Sequence, residues 1–164
     1  MELQTDHINQ LLGQIPDPEI PVISIVELGV VRGVSMEGDK VIVTITPTYS
    51  GCPAMRTIEM DIFNKLKDEG FEHIEIRTVQ SPAWTTDWMA EEAKEKLRAY
   101  GIAPPNEHIN QRVRSILSDE VTHVQCPHCA SWNTHLTSQF GSTACKALYK
   151  CDDCLEPFDY FKCI

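Results

Sequence analysis

Two Cys-x-x-Cys pairs, Cys126/Cys129 and Cys151/Cys154, stand 21 residues apart in the last third of this chain and constrain its fold more than any other feature. Each pair can offer two thiolates from one tight turn, and two such turns supply the four soft ligands that a tetrahedral zinc ion takes. The separation lies just outside the roughly 15–20 residues usual for zinc ribbons. Around the pairs, Thr134 to Phe140, Leu148 to Tyr149 and Phe158 to Phe161 have the aromatic and β-branched content of three short strands. Cys126, Cys129, Cys151 and Cys154 therefore read as the ligands of a structural Zn2+ in a β-rich ribbon. A rubredoxin-like iron site would use the same four ligands. The residues after the pairs, Ala130 and Leu155, are not the glycines such turns favour, which argues for zinc over iron.

The chain has seven cysteines, an odd number with four in metal-type pairs, so a disulfide framework fits poorly and a reducing, cytoplasmic compartment fits well. Its 164 residues, 42% hydrophobic, suffice for one ordinary domain and a small appendage. No apolar run has the form of a signal peptide or a membrane span. The net charge of −10, from 14 basic and 24 acidic residues, repels phosphate backbones and anionic lipid, so neither nucleic acid nor membrane is an expected partner. Within 121–164 the charge is also negative, where a nucleic-acid ribbon would show a basic face.

Upstream of the ribbon, Ile8, Leu11, Leu12 and Ile15 recur at helical spacing after Thr5, which reads as an N-cap. Asp17-Pro18-Glu19-Ile20-Pro21 forces an extended turn. Val30 to Met36 and Val41 to Thr46 form a hairpin across Glu37-Gly38-Asp39-Lys40. Met55, Ile58, Ile62 and Leu66 mark one face of a helix ending near Gly70, and Ile74, Ile76 and Val79 mark a strand. A helix from about Asp87 to Ala99, capped by Thr86 and stopped by Gly101, follows. The order α-β-β-α-β-α predicts an α+β fold: a small two-layer sandwich over 1–103, a linker or helix over 104–120, and the zinc ribbon over 121–164.

Cys52 precedes Pro53 at the start of the second helix, a placement that suits a reactive thiol and equally a structural thiol in a helix-start turn. No histidine or second cysteine lies near it in sequence, which counts against a protease-like or thioredoxin-like mechanism. Asp17 and Glu19 are candidate hard ligands or a base if the fold brings their turn beside Cys52; otherwise they form a solvent-exposed turn. Cys145 and Cys163 are spare thiols whose roles stay open between buried packing and a second metal position. His128 is expected to face solvent, and His123 and His135 give no signal. Trp84 and Trp88 read as a hydrophobic staple and core anchors.

Asp17-Pro18-Glu19-Ile20-Pro21-Val22, Glu27-Leu28-Gly29 and Thr46-Pro47-Thr48-Tyr49-Ser50-Gly51-Cys52-Pro53 resemble the small domain of the MIP-type iron–sulfur cluster assembly factors. The tail, Phe140-Gly141-Ser142-Thr143-Ala144-Cys145-Lys146-Ala147 with Glu156-Pro157-Phe158-Asp159-Tyr160-Phe161-Lys162-Cys163, looks like the PaaD branch found in bacterial phenylacetyl-CoA epoxidase systems. The resemblance covers nearly the whole chain. It implies an accessory protein that assists maturation of a ring-epoxidising monooxygenase, with that system's oxygenase and reductase subunits as partners and transient iron or an iron–sulfur cluster as cargo.

By the same resemblance Cys52 is the family's reactive cysteine, Asp17 and Glu19 its acidic motif, and Thr48 a member of the same loop. The chain has no pair of Glu-x-x-His helices and no nucleotide loop, which agrees with a non-catalytic role. The alternative is a structural or docking subunit that handles no metal cargo. Small domains of this kind pair through sheet edges, and family members form dimers, so a homodimer is expected.

Overall fold

The computed structural model describes residues 2–105 and 123–161. Residues 106–120 of the expected linker or helix, and Cys163, lie outside the described residues. The chain divides into two units, Met1–Ala93 and Lys94–Ile164.

The first unit is organised around one strand that is apolar on four of its six residues. β2 (Lys40–Ile45) lies between β1 (Val31–Glu37), antiparallel to it, and β3 (His73–Thr78), parallel to it. Register places Val34 opposite Val43, Met36 opposite Val41, and Ile74 and Ile76 opposite Val41 and Val43, so these side chains share one face. Val41, Val43 and Ile45 are fully buried there. α1 (Glu2–Leu12) packs on β1 and on α2 (Ala54–Asp68), and α2 packs on β3. Their buried stripes are Ile8, Leu11 and Leu12, and Met55, Ile58, Ile62 and Leu66, the last set being the one the 3.6-residue period predicts. Just past α2, Gly70 (φ +93) turns the chain away, and Phe71 N–H donates to the Leu66 carbonyl at 3.1 Å.

Several boundaries differ from the sequence reading for local reasons. α1 begins at Glu2, and Thr5 lies inside it, its hydroxyl donating to the Glu2 carbonyl at 2.8 Å in place of capping. The last predicted helix is split. Thr85, not Thr86, caps a 3-10 turn over Thr86–Trp88 by accepting from Asp87 N–H at 3.0 Å, and α3 begins at Glu91 and runs to Tyr100. Trp84 is a core anchor, buried with its indole N–H donating to the Leu28 carbonyl at 3.0 Å. Trp88 is half-buried, with the Arg32 guanidinium 3.5 Å above its ring centroid.

In the second unit the sheet order is β4-β7-β6-β5, from β4 (Ile102–Ala103), β5 (Thr134–Ser138), β6 (Lys146–Cys151) and β7 (Pro157–Phe161). β4 pairs with β7 in parallel, Ala103 opposite Tyr160. That pairing gathers Ile102 and Ala103 to the ribbon, whereas the sequence reading assigned them to the first domain; the units divide after Ala93. The core of this unit is Tyr149 stacked on Phe158 with centroids 5.9 Å apart and edge-on to Tyr160 at 5.6 Å, together with Ala103, Val124 and Ala147. Among the described residues no helix is long and apolar enough to cross a membrane.

Candidate metal centre

The two Cys-x-x-Cys turns meet at one end of this sheet. Cys126 to Cys129 precede β5, while Cys151 closes β6 and Cys154 stands in the turn before β7. The four sulfurs lie within 4.8 Å of one another, with Cys126 Sγ 3.7 Å from Cys154 Sγ and Cys129 Sγ 3.5 Å from Cys151 Sγ. Four thiolates this close, with no hard oxygen among them, fit a soft tetrahedral ion. Cys126 and Cys151 are buried against the aromatic core, Cys154 is half-buried, and Cys129 is exposed.

Ala130 (φ +63) and Leu155 (φ +65) follow the two turns, and both adopt the left-handed conformation that glycine accommodates without strain. The backbone thus takes the knuckle geometry despite the β-carbons, so the lack of glycine there does not separate zinc from iron. Backbone bonds hold each knuckle: Ala130 N–H to the Cys126 carbonyl at 2.9 Å, Cys126 N–H to the Ser131 carbonyl at 2.8 Å, and Cys151 N–H to the Glu156 carbonyl at 3.0 Å.

The thiols are electrostatically unequal. Cys151 is lowered to about 7, first by the Cys154 backbone N–H, 3.5 Å from its sulfur. Cys154 is pushed up to about 12: the Glu156 backbone N–H lowers it, but burial and the hydrogen bonds shared with Cys151, Cys129 and Cys126 outweigh that effect.

Sequence reasoning missed a group of side chains that ties the knuckles together. Asp153, inside the second, accepts from the Ser131 hydroxyl through Oδ2 and from Asn133 Nδ2 through Oδ1 at 3.0 Å. Ser131 Oγ accepts from Asn133 N–H at 3.0 Å. These contacts, Ser131 first, hold the Asp153 carboxyl below its usual range. Asp152 N–H donates to the Asn133 carbonyl at 2.8 Å, and Asp152 Oδ2 meets His135 Nδ1 at 3.0 Å, giving His135 a place that its sequence context did not reveal. His128 is exposed, its ring edge beside Gly101.

In the first unit Cys52 is half-buried just before Pro53, which is the N-cap residue of α2. Its N–H donates to the Tyr49 carbonyl at 3.2 Å, and the Thr48 hydroxyl lies 4.0 Å from its sulfur. Asp17 is buried, and its Oδ1 accepts from Glu19 N–H at 2.9 Å and from Ile20 N–H at 2.8 Å, an Asx turn that fixes the Pro-rich corner. Glu19 is half-buried. Among the described residues the four ribbon cysteines form the one group of three or more metal-capable side chains; Cys52, Asp17 and Glu19 do not form another.

Comparison with known proteins accounts for both halves. The iron–sulfur cluster assembly protein family matches residues 5–80, and the PaaD zinc β-ribbon domain matches residues 110–162. Over 161 residues the chain is 51% identical to an Escherichia coli (strain K12) protein provisionally named as the D component of 1,2-phenylacetyl-CoA epoxidase, covering 98% of this chain and 94% of that protein. The chain belongs to the PaaD family. The fold of its first part matches the crystal structure of domain of unknown function DUF59 from Bacillus anthracis, with 30% identity, a TM-score of 0.55, and coverage of 58% of this chain and 92% of that one. The α+β architecture and the C-terminal ribbon expected from the sequence are thereby established for this member of the PaaD family.

Proposed function

We propose that this chain is a non-catalytic accessory factor of a cytoplasmic phenylacetyl-CoA epoxidase system, assisting the supply of iron or an iron–sulfur cluster to that system's oxygenase or reductase subunits. The observation that carries the reading is the pairing of an iron–sulfur assembly domain and a PaaD ribbon in one chain, at 51% identity over nearly all of the Escherichia coli relative.

In this reading the ribbon ion is Zn2+, held by Cys126, Cys129, Cys151 and Cys154, and it shapes a docking element for a partner subunit or for a second copy of the chain. Four thiolates suit firm binding of a soft ion. Cys52 is the cargo thiol, with the Thr48 hydroxyl beside its sulfur. A single half-buried thiol of that kind suits weak, exchangeable holding of iron, which is passed by ligand exchange to the acceptor's own side chains. Asp17 contributes by fixing the turn that carries Glu19. Neither carboxylate is needed as a permanent ligand.

The test compares the unmodified chain with Cys52→Ser, both purified without oxygen and assayed for zinc, iron and acid-labile sulfide, and then each co-expressed with the oxygenase subunits. Zinc near one per chain in both, with iron and sulfide only in the unmodified chain and iron-depleted oxygenase beside the variant, is the expected result. Full iron content and epoxidase activity beside Cys52→Ser would overturn the cargo role and leave a structural or docking component.

A further inference from the structure

The knuckles are tied together by groups other than the sulfurs. Asp153 bridges Ser131 and Asn133, the Asp152 N–H reaches the Asn133 carbonyl, and the Asp152 carboxylate meets His135. Beneath them lies an apolar core of Tyr149, Phe158, Tyr160, Val124 and Ala103, to which Cys126 and Cys151 belong. Of the other two, Cys154 is half-buried and packs against that core, and Cys129 alone is exposed.

Small zinc domains usually unfold when the ion leaves, because the ion alone closes the loop between distant ligands and the apolar core is too small to compensate. Here the loop between the knuckles is also closed by the Asp153 bridge and by the β5–β6 pairing, in which Thr134 stands opposite Cys151. Much of the closure entropy is therefore met by contacts that need no ion.

We propose that the Asp153 brace and the aromatic core hold the two knuckles in binding register by themselves, so that the ribbon exchanges its metal ion from the exposed Cys129 side while staying folded. Exchange proceeds by ligand substitution. Cys126, Cys129, Cys151 and Cys154 would hold the ion, and release would replace all four sulfurs in turn by donors of an incoming chelating group, beginning at the exposed Cys129, each freed thiolate able to take a proton from water and no oxidation state changing. Asp153 is a positioning residue in this scheme, since it touches no sulfur donor through its side chain and acts by fixing Ser131 and Asn133. The inference rests on the ribbon as a metal site and not on the cargo role of Cys52.

The experiment uses the full chain. Zinc is removed with EDTA, amide hydrogen exchange is followed in β6 and β7, and zinc affinity is measured by competition with a chromophoric chelator. The zinc-free unmodified chain is expected to keep its protection in both strands and to take zinc back without a refolding lag. Asp153→Ala is expected to keep protection when loaded, to lose it on zinc removal, and to bind zinc about 10- to 100-fold more weakly. Asp153→Asn, which can still accept from Asn133 and offers an N–H to the Ser131 oxygen, is expected to follow the unmodified chain. Loss of β6 and β7 protection on zinc removal from the unmodified chain overturns the proposal. So does an Asp153→Ala chain whose zinc affinity and zinc-free protection are unchanged.

Discussion

A β-carbon placed on Gly29 would stand 2.6 Å from the carbonyl oxygen of Trp88 and 2.8 Å from its Cβ, while Gly29 itself sits at φ +82. The neighbouring Leu28 carbonyl receives the Trp84 indole N–H, and Ala90 N–H donates to the Glu27 carbonyl at 2.9 Å. The segment 84–90 is thus laid directly on the Glu27-Leu28-Gly29 corner, and that corner is itself closed by reciprocal bonds between Ser24 and Glu27.

Gly29→Ala combines a forbidden contact with backbone rigid on both sides and an unfavourable φ, so it is expected to destabilise the first unit by about 3 kcal/mol or more. Urea denaturation followed by tryptophan fluorescence reads this. A midpoint equal to that of the unmodified chain would show that the 84–90 segment yields freely.

Thr46 opens the loop that leads to Cys52, and its Oγ1 is buried with no hydrogen-bond partner, although its N–H donates to the Val30 carbonyl at 2.9 Å. A buried unpaired hydroxyl costs stability that an isosteric methyl does not, so Thr46→Val is expected to stabilise the chain by about 1 kcal/mol. Thermal or urea unfolding measures it; a loss of stability instead would reveal a water molecule serving that oxygen.

A soft ion taken up by the four thiols must displace their protons, and Cys151, lowered to about 7, differs from Cys154, pushed up to about 12. A depressed thiol pKa means the thiolate is already present above about pH 7 and is lost as pH falls through that value. Zinc added to the metal-free chain should therefore release about one proton fewer near pH 8 than near pH 6, and its affinity should fall more steeply with acidity below about 7. Calorimetry in two buffers of different ionisation enthalpy counts the protons, and equal release at both pH values would contradict the assignment.

Ala130 holds φ +63 without the freedom of glycine, at an exposed position. Ala130→Gly is expected to relieve that strain and raise the stability of the loaded ribbon by up to about 1 kcal/mol, since the left-handed conformation is costly for residues with a β-carbon. The melting temperature of the zinc-loaded chain reports the change, and a decrease would mean that unfolded-chain entropy outweighs the relief.

What could be read from the sequence was what repeats or binds with fixed spacing. Met55, Ile58, Ile62 and Leu66 announced α2 because a helix returns them to one face, and all four are buried. The four cysteines announced the ribbon because two Cys-x-x-Cys pairs at this separation offer four soft donors to one ion. Thr5 misled because a threonine hydroxyl can bond backward inside a helix as well as cap it. β4 could not be read, since two residues carry no period, and its pairing with β7 spans more than fifty positions. The Asp153 brace was equally hidden. Its partners Ser131 and Asn133 lie 22 and 20 residues away, a separation that no local pattern marks. Asp17 was legible as part of a motif, but its task of fixing a turn through two backbone N–H groups emerged only from coordinates.

The short pairing of Ile102 and Ala103 with Asp159 and Tyr160 determines where this chain can be severed. A cut at Pro104 would look natural, because Pro104 and Pro105 resemble a hinge. It would remove the strand that β7 has as its outer neighbour among the described residues, leaving a bare row of amides and carbonyls beside aromatic side chains. Such a margin recruits strands from other molecules. A ribbon fragment begun there would clump, whereas one begun upstream of Gly101 would keep its border closed.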